Sequence, residues 1–218
     1  MRLGQHFLVD LNVIGEILRF VDPGLRPLVE VGPGRGEITK FLEPDAVVEI
    51  DDGLALQLKW ANPVVGDARY FPLRAVQIVS SLPYYITFDF LEEISGLSCV
   101  KRAVLVLQKD FVTKVMSYPT YISFLVNYSF NLDKGPVIPP SAFKPRPKVF
   151  SQVLVLNRKA VPSDRVLAFL KCISRYRNKS LSRAGRLCGV ETQETRKVRE
   201  FRPSQVYELL SVAGLNTS

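Results

Sequence analysis

Short apolar runs alternate with longer, polar-punctuated segments through the first two thirds of the chain. Residues 28–31, 47–50, 64–65, 75–79 and 103–107 form such runs, each bounded by Gly, Pro or charged residues. Brief apolar runs of this kind read as strands buried on both faces, and the segments between them are mostly long enough for helices. The alternation predicts a parallel sheet covered by helices, a doubly wound α/β architecture. Residues 124–130 and 153–156 are expected to add two strands, an antiparallel pair closing one edge. Between them, residues 136–147 carry prolines at 136, 139, 140, 145 and 147. Proline cannot donate to a sheet ladder, so this stretch reads as a rigid, extended loop, either a stiff connector or a wall of a site.

Helical spacing appears at both ends. Val13, Ile14, Ile17, Leu18 and Val21 share one face of residues 10–21, with Asp10 placed as N-cap. Near the other end, Val166, Phe169, Leu170 and Ile173 line up within residues 164–176. Val206, Leu209, Leu210 and Ala213 do so within 204–213, opened by Ser204 and closed by Gly214. The character of the chain changes after Asn157. Two domains are therefore expected, 1–158 built on the sheet and 159–218 small, helical and basic.

Charge sharpens that division. Residues 144–202 hold 16 Lys/Arg against 4 Asp/Glu, whereas the rest of the chain holds 13 against 17. So uneven a split points to a polyanion docking on one part of the molecule. A solvated basic helix face is the plainer alternative. No apolar run approaches the roughly 20 residues that span a bilayer, and no signal-peptide pattern is present, so a cytoplasmic protein is expected. Cys99, Cys172 and Cys188 are odd in number and lack metal-ligand spacing, which reads as reduced thiols. With His6 the only histidine, zinc lacks ligands and a Ser-His-Asp site would need His6 itself.

Candidate chemistry gathers behind the first run. Gly32, Gly34 and Gly36 follow it directly, a turn that lets backbone N–H groups approach a cofactor, although glycines alone are weak evidence. Glu49 ends the second run, where a carboxylate can accept both ribose hydroxyls of a nucleoside. Asp67 ends the third, placed to accept an exocyclic amino proton from an adenine ring. Ligands of open α/β sheets collect at these carboxyl ends of strands. Each acid taken singly could equally be a solvated strand-end carboxylate. After the fourth run comes Ser81-Leu82-Pro83-Tyr84. Adenine N6 is a poor nucleophile because its lone pair is delocalised into the ring. The Ser81 oxygen and the Leu82 or Pro83 carbonyl could hold its N–H bonds, and Tyr84 could stack on the base. A methyltransferase acting on RNA adenine is the reading.

Longer motifs point the same way. Gly4-Gln5-His6-Phe7-Leu8, Glu49-Ile50-Asp51, Gly66-Asp67-Ala68, Leu82-Pro83-Tyr84-Tyr85-Ile86 and Gln108-Lys109-Asp110-Phe111 all resemble the ribosomal RNA adenine N6,N6-dimethyltransferases. So do the stretch from Phe143 through Arg146 and Lys148 to Val149, and the stretch from Arg175 through Arg177 and Lys179 to Leu181. The resemblance covers nearly the whole chain. It implies a Rossmann-like S-adenosylmethionine-dependent methyltransferase sheet with a small helical C-terminal domain. It further implies dimethylation of two adjacent adenines near the 3′ end of small-subunit rRNA, in a pre-ribosomal particle, by a monomer needing neither metal nor membrane. Gln5, His6 and Leu8 would border S-adenosylmethionine, with Gly32 and Gly34 against its methionine half, Glu49-Ile50 at the ribose and Asp67-Ala68 at the adenine. Phe143 would face Tyr84 across the extruded base, and Arg146, Lys148, Arg175, Arg177, Lys179 and Arg183 would meet RNA.

The chain departs from that family at Ser81, where Asn is usual, and in a shortened segment around residues 117–121 and a short C-terminal part. A non-catalytic assembly factor, or an enzyme for large-subunit rRNA or another RNA, are the competing functions.

Overall fold

The computed structural model describes residues 6–215. Its elements run β1 (Phe7–Leu8), α1 (Leu11–Leu18), β2 (Leu28–Val31), α2 (Thr39–Leu42), β3 (Ala46–Glu49), α3 (Asp52–Gln57), β4 (Pro63–Val65), β5 (Gln77–Ser80), α4 (Thr87–Gly96) and β6 (Arg102–Gln108). They continue with α5 (Lys109–Ser117), α6 (Tyr121–Ser129), β7 (Phe130–Ile138), β8 (Phe143–Lys144), β9 (Ser151–Arg158), α7 (Asp164–Ile173), α8 (Leu181–Leu187) and α9 (Val206–Val212). The chain divides into two compact units. The first runs to Val112 and includes Leu132–Arg158; the second joins Thr113–Asn131 to the residues from Lys159 onward. Residues 113–131 thus group with the C-terminal part.

In the first unit the sheet order is β4-β3-β2-β5-β6-β9-β7. The strands from β4 to β6 are parallel, and β9 runs antiparallel to β6. The inner parallel strands β2, β3, β5 and β6 are largely apolar and almost wholly buried, as strands covered on both faces are, while the edge strand β4 is only partly buried. The chain steps outward from β2 through β3 to β4, then returns to place β5 on the other side of β2. That reversal is a topological switch point, where open α/β sheets form a crevice. Register sharpens it: Val31 lies opposite both Val48 and Ser80, and Glu49 lies opposite Val65, so four strands end together. A two-stranded ribbon, β1 with β8, lays Leu8 and Phe143 into the same core as Leu28, Val79 and Val104.

The second unit is helical. Phe169, Leu170, Ile173, Leu181, Phe201, Leu209 and Leu210 form its core together with Phe124 and Tyr128 of α6. The expected strand over 124–130 is therefore a helix. A seven-residue apolar run suits a fully buried helix as well as a strand, and α6 is buried on every side from Ile122 to Ser129. Thr120 decides the matter, since its side chain accepts the Ser123 N–H as an N-cap. Asn127 is tolerated inside because its amide donates to the Val115 and Ser123 carbonyls at 3.0 and 2.8 Å.

Two further expectations need correcting. Residues 136–147 are not one loop: Pro136 sits in β7, an edge strand where a missing N–H is harmless, and Phe143–Lys144 pair with β1. Cys172 and Cys188 are joined as a disulfide, leaving Cys99 as the free thiol among the described residues. Sixteen residues and a helix boundary separate the pair, so linear spacing concealed it.

Candidate active site

A cavity opens at the switch point, lined by the residues that follow β2, β3, β4 and β5 and by the β1–β8 ribbon. It gathers His6, Leu8, Gly32, Gly34, Glu49, Ile50, Asp67, Ala68, Ser81, Leu82, Pro83, Tyr84 and Phe143. Gln5 lies outside the described residues. Arg146 and Lys148 are exposed on the first unit and do not line the cavity; Arg175, Arg177, Lys179 and Arg183 are exposed on the second.

The glycine turn is required by crowding. Gly32 and Gly34 have φ of 69° and 57°, in the left-handed region that other residues avoid. An added Cβ would come within 2.7 Å of the Leu82 side chain at Gly32, and within 2.7 Å of the Phe7 ring at Gly34. Bare backbone therefore faces the cavity, and the Arg35 guanidinium lies over the Phe7 ring at 4.8 Å.

The two acids differ in what serves their oxygens, backbone N–H groups at Glu49 and chiefly a guanidinium at Asp67. Glu49 is 3% exposed, and burial raises its pKa. Its carboxylate takes N–H bonds from Gly34 at 3.1 Å, Ile50 at 3.0 Å and Asp51 at 3.1 Å, which partly offset that rise. A carboxylate has about four acceptor positions, so one remains for an incoming hydroxyl. Asp67 is more open, and Arg69 holds its pKa below the usual carboxylate range. Its Oδ1 accepts the Arg69 backbone N–H at 2.9 Å and Nε at 3.0 Å; its Oδ2 accepts Nε at 3.0 Å and Nη2 at 2.5 Å. The single Nε–H is shared between the two oxygens, so three N–H groups serve the carboxylate and the guanidinium lies across both of its oxygens. An exocyclic amine that approaches Asp67 therefore competes with the guanidinium already lying against it.

Glu30, inside β2, also lines the cavity and was missed as a site residue because it reads as a strand interior. Burial pushes its carboxyl up to about 8, and neighbouring Glu49 adds to this. The Thr39 hydroxyl eases the rise in part, yet Glu30 Oε2 and Thr39 Oγ1 are both buried without a well-formed hydrogen bond. An unpaired acidic oxygen beside bare glycine backbone suits a ligand with an ammonium group.

At the other end, the Tyr84 hydroxyl shares a 2.7 Å hydrogen bond with Ser151 Oγ, which fixes the ring. Ser151 is a second residue that no sequence signal marked. The His6 ring lies 6.5 Å from that of Tyr84 at 28°. Its Nδ1 meets the Pro145 carbonyl at 2.7 Å; a carbonyl only accepts, so Nδ1 carries the proton. Phe143 reaches the cavity from the core at 2% exposure, and Ser81 is half-buried at the end of β5. Among the described residues there is no cluster suited to a metal ion, and no helix long and apolar enough to cross a membrane.

A doubly wound sheet with a glycine turn, strand-end acids and an aromatic shelf defines the Rossmann-like methyltransferase class. Comparison with known proteins then narrows the class. A family model described as ribosomal RNA adenine dimethylase matches residues 1–176. The probable ribosomal RNA small subunit methyltransferase A of Aeropyrum pernix is 30% identical over 178 residues, covering 72% of this chain and 64% of that protein. The ribosomal RNA small subunit methyltransferase A of Nitrosomonas europaea is 31% identical over 183 residues, covering 74% and 71%. The chain belongs to the ribosomal RNA adenine dimethylase family. It spans just under two thirds of the first of these relatives and somewhat more of the second. Two solved structures share the fold. A dimethyladenosine transferase from Plasmodium falciparum matches with a TM-score of 0.72 at 21% identity, covering 82% of this chain and 74% of that one. The 23S rRNA methyltransferase ErmE matches with a TM-score of 0.69 at 22% identity, covering 95% and 99%.

Proposed function

We propose that this chain dimethylates N6 of two adjacent adenines near the 3′ end of small-subunit rRNA, using S-adenosylmethionine. The observation that carries the reading is the single cavity joining the glycine turn and Glu49 at one end to Ser81 and Tyr84 at the other. When bound, S-adenosylmethionine supplies an electrophilic methyl group on a sulfonium. Gly32 and Gly34 would admit its methionine half, with Glu30 near the ammonium. Glu49 would take a ribose hydroxyl on its remaining acceptor position, Ile50 would flank the ribose, and Asp67 and Ala68 would hold the adenine. His6 and Leu8 would close the ribbon side.

Ser81 Oγ and the Leu82 or Pro83 carbonyl would accept the two N6–H bonds of the target base and aim its lone pair. Tyr84, anchored by Ser151, would stack on one face of that base, with Phe143 bounding the other. Stacking is worth about 1–3 kcal/mol per face, enough to offset the few kcal/mol needed to extrude a base. Positioning and exclusion of water supply most of the acceleration, and no strong general base is needed if the proton leaves after transfer. The exposed Arg146, Lys148, Arg175, Arg177, Lys179 and Arg183 would contact phosphates. On this reading residues 1–158 are catalytic and 159–218 bind RNA, in a cytoplasmic monomer acting on a pre-ribosomal particle.

One observation favours a second substrate. The fold spans nearly the whole length of a 23S rRNA methyltransferase but about three quarters of a dimethyladenosine transferase. Incubation with labelled S-adenosylmethionine and immature small subunits, followed by mapping of the modified nucleotides, is expected to mark two adjacent adenines. Label confined to large-subunit rRNA would select the alternative. No label, with donor binding intact, would discard both.

A further inference from the structure

The Arg69 guanidinium spans both carboxylate oxygens of Asp67 at the cavity wall. Asp67 and Arg69 both line the cavity, and their side chains are 23% and 43% exposed. Asp67 also N-caps the short turn Ala68–Tyr70 through its bond to the Arg69 backbone N–H. That backbone bond keeps the carboxylate aimed whether or not the guanidinium stays. The three side-chain contacts are the exchangeable ones.

We propose that Arg69 is a latch on the adenine end of the donor site: its guanidinium, held across both oxygens of Asp67, competes with the donor's exocyclic amine for that carboxylate. The latch rests on the reading above, in which Asp67 receives that amine. A charged donor is exchanged for a neutral one, so closing the latch weakens binding of any ligand that needs Asp67. Arg69 is then a positioning residue that sets donor affinity, with no contact to the reacting atoms.

Calorimetric titration with S-adenosylhomocysteine, which lacks the sulfonium charge, tests this without turnover. Arg69→Ala is expected to bind it up to about fivefold more tightly than the parent chain, the range expected when one exposed ion pair no longer competes. Asp67→Asn should bind more weakly, and Arg69→Ala added to Asp67→Asn should change nothing further. An Arg69→Ala protein that binds equally or less tightly overturns the latch, as does an equal gain in the Asp67→Asn background, which would signal general charge repulsion. An unaltered affinity in Asp67→Asn would instead sink the assignment of the amine to Asp67. Arg69→Gln repeats the measurement should thermal melting show Arg69→Ala misfolded.

Discussion

The two units use opposite physical means. In the sheet unit, backbone placed by strand register builds the site: glycines with no side chain, and acids whose lone pairs are counted out among N–H groups. In the helical unit the buried residues only pack, and the residues of interest stand outside on that core as exposed positive charge. A single atom added in the first unit alters the cavity. A single charge changed in the second alters a field. The contrast teaches where each kind of substitution should be felt.

The largest effect is expected on the packing side. Phe201 is fully buried, and Arg196 lies over its ring at 4.2 Å. Phe201→Ala should destabilise the helical unit by about 3–5 kcal/mol, read in a urea melt. Donor affinity under native conditions should hardly change. An equal loss of donor binding would break the division of labour.

Next comes a pH effect confined to the sheet unit. Glu30 keeps its proton in the folded chain up to about pH 8, whereas the unfolded chain releases it in the ordinary carboxylate range. Unfolding between those limits sheds a proton, so stability should fall as pH rises, by at most about 1.4 kcal/mol per unit. Glu30→Gln should flatten that slope between pH 5.5 and 7.5, leaving the smaller share of Glu49, whose pKa is also raised. Identical slopes would show that Glu30 has found a partner.

Reversing Arg175, Arg177 and Lys179 to Glu should weaken RNA binding and reduce the slope of log K against log salt by up to about one per lost phosphate contact. An unchanged slope would remove these residues from the RNA surface. Ser81→Asn is expected to have the smallest effect, a rise in methylation of about tenfold or less, because the longer amide reaches N6 more directly. A gain from near zero would favour the non-catalytic assembly factor.

Much of the sheet was legible because its signals are local. Apolar runs ended by glycine or acid located β2, β3 and β5, and register then brought Glu49, Asp67 and Ser81 to one edge. What stayed hidden depends on tertiary environment. The run 124–130 could not reveal that helices would surround it. Glu30 looked like any strand residue until burial left one of its oxygens unpaired. The grip of Arg69 on Asp67 needed the backbone turn of residues 68–70, and Ser151 reaches Tyr84 across 67 positions of chain.

Titration of S-adenosylhomocysteine into three proteins tests the account most directly: the parent chain, Glu49→Ala, and the triple reversal at Arg175, Arg177 and Lys179. The parent and the triple variant should bind alike, while Glu49→Ala should lose about tenfold or more, one hydrogen bond to a buried charge. Absence of heat with the parent chain, or undiminished binding by Glu49→Ala, would contradict the placement of the donor at the strand ends.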